Sequence, residues 1–259
     1  MGVSLSGLQD WILARFGGKI VEEWDEEGMP IYNPELIEAL DNMYQAVREA
    51  DWEYSEALGC GESIKVTTVK PSGSVSLLPG VSPGMHWHYF KRGIRRIRFQ
   101  EDNPLVDLLR ECGYKVEPAI GSPNAVVVEF PMEAPTANLE GFRSAGDVSI
   151  EEQMAFQALL QYAWSDNMVS ATISFQPHET DRIAPLLRKY IKRIKGVSML
   201  PYVGHGYAQA PYEPVEDEEF RKIVESIKAT PEEKFSQMFN VKVTNDLDSE
   251  CEGGACPIR

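Results

Sequence analysis

Cysteine is scarce in this chain: four in 259 residues, at positions 60, 112, 251 and 256. Four thiols so spread do not make the disulfide framework of a small secreted domain, so a reducing cytoplasm is the expected compartment. Histidine is as rare, also four residues. Only His86 and His88 lie close together, and no Cys, Asp or Glu at a usual spacing completes a metal set with them, so no metal site is predicted. Cations are outnumbered, 25 Lys plus Arg against 40 Asp plus Glu, for a net charge of −15. That balance argues against general affinity for nucleic acid or an anionic membrane, although a local basic pocket for a phosphate remains compatible with it. No apolar run reaches the ~20 residues of a membrane span. The first residues lack the basic and apolar regions of a secretory signal. The opening Met-Gly-Val-Ser-Leu-Ser matches the loose N-myristoylation pattern, but the short apolar stretch behind it already serves as a helix face.

What is present suits a sizeable core. Hydrophobic residues make up 43% of the chain, enough for one large domain or two small ones. Leu5, Leu8, Ile12 and Leu13 have helical spacing. An acidic connector follows over Glu22–Met29. Asn33 then caps a long helix with Pro34 at its first position. The β-branched run Ile64–Val69 predicts a buried strand. Ile94–Phe99 is extended, Asn103-Pro104 opens a helix that ends at Cys112-Gly113, and Ala125–Phe130 is a strand closed by Pro131. Ser149 to Glu152 has the form of a capping box, opening a helix through Trp164. Met168–Phe175 predicts a strand, Glu179–Lys195 a helix, Gly196–Pro201 a short strand and Glu216–Lys228 a helix. Strands alternating with helices indicate an α/β fold with a largely parallel sheet or barrel. There is no internal repeat. The last sixteen residues are polar and aperiodic, and predict a flexible tail.

Five constellations carry candidate chemistry. At the end of the 64–69 strand stand Lys70, Pro71, Ser72, Gly73, Ser74, Val75 and Ser76. A glycine admits close backbone approach, successive amides can face an anion, and hydroxyls and a lysine add donors. This is a natural phosphate seat at a strand end; it is not a Walker loop, and an ordinary Ser/Gly turn is the competing reading. Lys91, Arg92, Arg95, Arg96 and Arg98 are five cations within eight residues, either a nucleotide- or partner-facing patch or a strand paired with carboxylates. His86 and His88 flank Trp87 and read best as hydrogen-bonded loop histidines. Cys60 stands two residues before Glu62, while Cys112 reads as a small buried hydrophobe. Cys251 and Cys256 bracket Gly253-Gly254, which lets the two sulfurs meet. A reversible dithiol on a tail of about sixteen residues has a reach of up to ~50 Å, and access governs its exchange chemistry.

Taken in order, several stretches resemble adenosylcobalamin-dependent (class II) ribonucleotide reductases. They are Thr67–Ser74, Leu77–Gly84, Ile94–Arg98, Trp164–Asn167 with Val169-Ser170, Gly206–Tyr212, and the Cys251/Cys256 ending, which is most like the monomeric ribonucleoside-triphosphate reductases. The resemblance implies the C-terminal portion of a ten-stranded α/β barrel over residues 1–243 and a redox-shuttle tail over 244–259. It implies that Cys251 and Cys256 reduce an active-site disulfide and are recharged by thioredoxin. It implies that Lys70–Ser76 hold the phosphates of a ribonucleotide, and that adenosylcobalamin is the cofactor of the complete enzyme. The family's radical cysteine sits in an Asn-Pro-Cys-x-Glu context. Here Leu58-Gly59 precede Cys60-Gly61-Glu62, and the order along the chain is wrong, so Cys60 is read as a decoy. An N-terminal complementing segment is therefore an expected partner, beside thioredoxin and ribonucleotide. The alternative is a stand-alone nucleotide- or phosphate-binding module without redox activity.

Overall fold

The computed structural model describes residues 2–202 and 208–228. In chain order the elements are β1 (Val3–Ser4), α1 (Leu8–Phe16), β2 (Val21–Trp24), β3 (Pro30–Tyr32), α2 (Pro34–Leu58), β4 (Thr67–Thr68), β5 (Arg92–Gln100), α3 (Pro104–Glu111), β6 (Val116–Pro118), β7 (Ala125–Glu133), α4 (Ile150–Ala163), β8 (Thr172–Phe175), α5 (Ile183–Tyr190), β9 (Ser198–Pro201), β10 (Tyr212–Pro214) and α6 (Asp217–Ser226). The expected mixture of helices and strands is present. By contacts the chain divides into two units, Met1–Arg95 with Pro131–Phe220, and Arg96–Phe130 with Arg221–Arg259.

In the first unit the parallel pairings line up along one series. β1 pairs with β4, Val69 bridges Val169, and β8 pairs with β9, all parallel. Behind them lies α4, whose residues Gln153 to Leu160 are all buried. A helix buried on every side belongs in an interior, and α4 sits among Leu8, Ile12, Leu36, Leu40, Val69, Trp87, Val169, Ile173 and Tyr190. Its three glutamines, spaced four apart and so on one face, bind the backbone of the 165–174 segment and of Gly196. Gln153 Nε2 donates to Ser174 O at 2.8 Å and its Oε1 accepts from Ser174 N at 3.0 Å. Gln157 Nε2 donates to Val169 O and Gly196 O, and Gln161 to Ser165 O and Asn167 O. In the second unit β6 pairs antiparallel with β7, placing Val126, Val127 and Val128 in the interior. Buried Glu129 accepts from Arg96 at 2.9 Å and Lys115 at 3.1 Å.

The local signals place most elements, with physically instructive shifts. Asn33 Oδ1 accepts from the Glu35 and Leu36 amides, as an N-cap must. Ser149 accepts from Glu152 N, but the Glu152 carboxylate turns to Arg143, so the capping box is half formed. Only Thr67–Thr68 of the 64–69 run are strand, and Ile64 is 94% exposed. Pro131 does not close β7, which continues to Glu133. The 179–195 stretch is a 3₁₀ turn over Pro177–Arg182 followed by α5, and the strand expected over 168–175 begins at Thr172. The acidic connector is the β2–β3 hairpin, whose turn Asp25 closes by accepting from the Glu27 and Met29 amides.

Candidate functional site

The first unit builds one site around the end of β4. Two sides hold that short strand. β1 lies on one; on the other, residues 164–167 fasten to it one after another. Trp164 Nε1 donates to Thr68 O at 2.9 Å, the Asp166 amide donates to Thr67 Oγ1 at 2.9 Å, and Asn167 donates through both its amide and Nδ2 to Thr67 O. Asp166 also accepts from the Val66 amide and from the Tyr44 hydroxyl on α2. Burial opposes its ionisation, yet these hydrogen bonds prevail and hold its carboxyl below the usual carboxylate range.

Beyond Val69 the chain enters the 70–76 loop, which is tied back at three points. Lys70 N donates to Ser4 Oγ at 2.9 Å. Ser72, at φ 45°, places its Oγ 2.8 Å from Gly84 N and 2.6 Å from Ser6 Oγ. Ser76 N donates to Ser72 O at 2.9 Å. Gly84 is the residue that permits this: its φ is 56°, and a Cβ there would run into the Lys70 carbonyl oxygen. At Gly73, by contrast, φ is not positive and a Cβ would meet nothing within 4 Å. The amides of Gly73 and Ser74 make no hydrogen bond among the described residues.

Beside the loop lies a cavity of about 380 Å³, lined mainly by apolar and aromatic groups. Of the residues predicted from sequence, Pro71, Gly73 and Ser76 line it; Lys70, Ser72, Ser74 and Val75 do not. The opposite wall includes Thr172, Ile173 and Ser174 of β8, and Gln153. His86 also faces it, with Nδ1 3.0 Å from Pro83 O and Nε2 3.0 Å from Thr172 N. An amide can only donate, so Nε2 accepts and Nδ1 carries the proton: the ring is neutral and its tautomer fixed. Burial lowers its pKa. Tyr89 and Tyr212 close another side, with ring centroids 6.2 Å apart. Below, buried Asp10 accepts from His88 Nε2 at 2.8 Å, Thr136 Oγ1 at 2.7 Å and Ser82 N at 2.7 Å. Burial works against the charge on Asp10, and these donors outweigh it and lower its pKa.

The other described sequence candidates do not line this cavity. Arg92 is paired with Glu133 at 2.5 Å and Asp217 at 2.7 Å, Arg96 with Glu129, and Arg95 lies over the Tyr212 ring at 5.6 Å. Two of the five cations of the basic run, Arg92 and Arg96, are thus carboxylate partners. Cys60 is exposed and Cys112 buried. Cys251 and Cys256, and Gly206 and Tyr207 of the Gly206–Tyr212 stretch, lie outside the described residues. Sequence reasoning missed Ser4, Ser6 and Gly84, whose bonds to the loop span 12 to 66 positions. No described helix is long and apolar enough to cross a membrane.

A tied polar loop at a strand end beside an apolar cavity is an arrangement in which mixed α and β folds place ligand sites. The similarities to known proteins are more specific. The chain is 49% identical over its whole length to the adenosylcobalamin-dependent ribonucleoside-triphosphate reductase of Lactobacillus gasseri, and 47% identical to that of Lactobacillus leichmannii. A crystal structure of a B12-dependent (class II) ribonucleotide reductase superposes on 94% of the chain with a TM-score of 0.87 and 47% identity. No protein-family profile matches. Over its whole length the chain is thus homologous to a segment of adenosylcobalamin-dependent ribonucleotide reductases. It spans 36% of the length of the reductases it matches.

Proposed function

We propose that this chain is the C-terminal part of a class II ribonucleotide reductase, contributing the phosphate seat and the electron shuttle to an enzyme completed by an N-terminal segment. The observation that carries the reading is full-length similarity, at 47–49% identity, to reductases of which the chain spans only 36%. Residues 1–243 form part of the reductase barrel; the parallel series of β1, β4, β8 and β9 suits an arc of it. Residues 244–259 form the shuttle tail.

In this reading Lys70, Pro71, Ser72, Gly73, Ser74, Val75 and Ser76 hold the ribonucleotide's phosphates. The amides of Gly73 and Ser74, without a partner among the described residues, supply N–H donors, and Lys70 supplies charge. The cavity receives the nucleoside. Its size, about 380 Å³, is at the low end of the ~300–1,000 Å³ that suit drug-sized ligands. A corrinoid with its adenosyl group is larger, so this cavity alone does not fit adenosylcobalamin, and the cofactor belongs to the complete enzyme. Cys251 and Cys256 act on the disulfide left by reduction of the ribose 2′-hydroxyl. A tail thiolate attacks one sulfur to form a mixed disulfide, and the second tail thiol displaces it. The active-site pair leaves reduced by two electrons and the tail leaves as a disulfide, which the dithiol of thioredoxin reduces in turn.

The test is the double variant Cys251→Ser, Cys256→Ser in a mixture with the complementing segment, adenosylcobalamin and a ribonucleoside triphosphate. Thioredoxin-supported turnover should collapse, while a small dithiol that reaches the active-site disulfide directly still supports it. Equal thioredoxin-supported turnover with and without the tail thiols would refute the shuttle. The stand-alone binding module predicts nucleotide binding and no turnover in any mixture.

A further inference from the structure

We propose that Ser6 is a positioning residue for the phosphate loop, acting through Ser72. The inference rests on the reading of residues 70–76 as the phosphate seat. Ser72 has φ 45°, a left-handed conformation that L side chains rarely adopt and that persists only where the surroundings impose it. Its surroundings do so through a short relay of hydroxyls. Gly84 N–H donates to Ser72 Oγ at 2.8 Å and lies 3.1 Å from Ser6 Oγ. Ser6 O–H reaches the Ser82 carbonyl at 3.2 Å, and the two hydroxyl oxygens are 2.6 Å apart. With the Ser6 proton directed to Ser82, the Ser72 proton has Ser6 Oγ as its acceptor, and each donor in the relay is matched.

The consequence falls on the two residues that follow. Ser72 is held at its side chain by Ser6 and Gly84, and at its carbonyl by the Ser76 amide. The direction in which the Gly73 and Ser74 N–H groups point is therefore set by a residue that does not line the cavity. Ser6 is exposed, so its removal disturbs no core packing; what it removes is the acceptor that keeps the Ser72 hydroxyl in place. Without it the strained residue relaxes, and the two amides no longer converge on one anion. Ser4, which accepts from the Lys70 amide at 2.9 Å, anchors the start of the same loop from the same stretch of chain.

Calorimetric titration of the purified chain with inorganic tripolyphosphate and with CTP tests this. Ser6→Ala should weaken both ligands by about tenfold, the worth of one well-placed hydrogen bond, with an unchanged melting temperature. Ser6→Thr, which restores the hydroxyl at an exposed position, should recover the wild-type affinity. Ser72→Gly, which tolerates φ 45° without the hydroxyl, should weaken binding as Ser6→Ala does even if Ser6→Ala proves unstable. Wild-type binding with equal affinity in Ser6→Ala and Ser72→Gly would overturn the positioning role while leaving the phosphate seat intact. A wild-type chain that binds neither ligand would overturn the seat and the inference together.

Discussion

The Trp164 indole N–H and the Thr68 carbonyl lie 2.9 Å apart, with both residues almost fully buried. This single bond joins the end of α4 to the strand that carries the candidate phosphate loop. Replacing Trp164 with Phe leaves a buried carbonyl without this donor, at a cost of about 1–3 kcal/mol. Urea unfolding should show a lower midpoint with an unchanged slope. An unchanged midpoint would mean that the 164–167 clamp does not fasten β4.

Two glycines in the site should behave oppositely. Gly84→Ala places a Cβ against the Lys70 carbonyl oxygen at a positive φ, so stability should fall by more than ~1 kcal/mol. Gly73→Ala meets nothing within 4 Å and needs no unusual φ, so the fold should stay within ~0.5 kcal/mol of wild type. Triphosphate affinity should nonetheless drop in Gly73→Ala, because the methyl crowds the approach of the anion. Calorimetry and denaturation on both variants separate the roles; undiminished affinity in Gly73→Ala contradicts the seat.

His86 should make stability pH-dependent. Its ring is neutral in the fold, and burial lowers its pKa. As pH falls, the unfolded chain takes up its proton first, at about 6.5. Stability therefore declines from there down to the lower folded value. His86→Gln removes that titration. Between pH 7.5 and pH 5 wild type should lose more unfolding free energy than the variant. Parallel pH profiles would rule out this linkage.

The isolated chain should self-associate. Ile64, Leu78, Tyr162, Tyr54 and Leu58 are large apolar side chains more than 70% exposed, and β1 and β9 each have one strand partner among the described residues. Such edges and surfaces recruit partners. Sedimentation velocity should show concentration-dependent oligomers that the complementing segment suppresses. A monodisperse monomer with a cooperative melt contradicts this.

The sequence exposes what is local. Asn33-Pro34 and Ser149 mark helix starts because an N-cap is satisfied within three residues. The loop at 70–76 is legible as a break in the strand because Pro71, Ser72 and Gly73 follow one another there. Ile64 and Val66 are as β-branched as a strand requires, yet only Thr67 and Thr68 are paired in β4, because pairing depends on a partner rather than on propensity. Ser6, just before α1, and Asp10, in its first turn, are ordinary residues in sequence. Their importance arises from Ser72, Gly84, His88 and Thr136, which lie 66 to 126 positions away. The Trp164–Asn167 stretch is recognisable by resemblance alone; its task, holding Thr67 and Thr68, is visible only in three dimensions.

The account is tested most directly by deoxyribonucleotide formation in a reconstitution. The chain is combined with the portion of the Lactobacillus leichmannii reductase that it does not span, plus adenosylcobalamin, CTP and reduced thioredoxin. Product should form in the complete mixture and in none lacking either polypeptide. Deoxyribonucleotide from this chain alone, or none from a folded and complete mixture, would contradict the account.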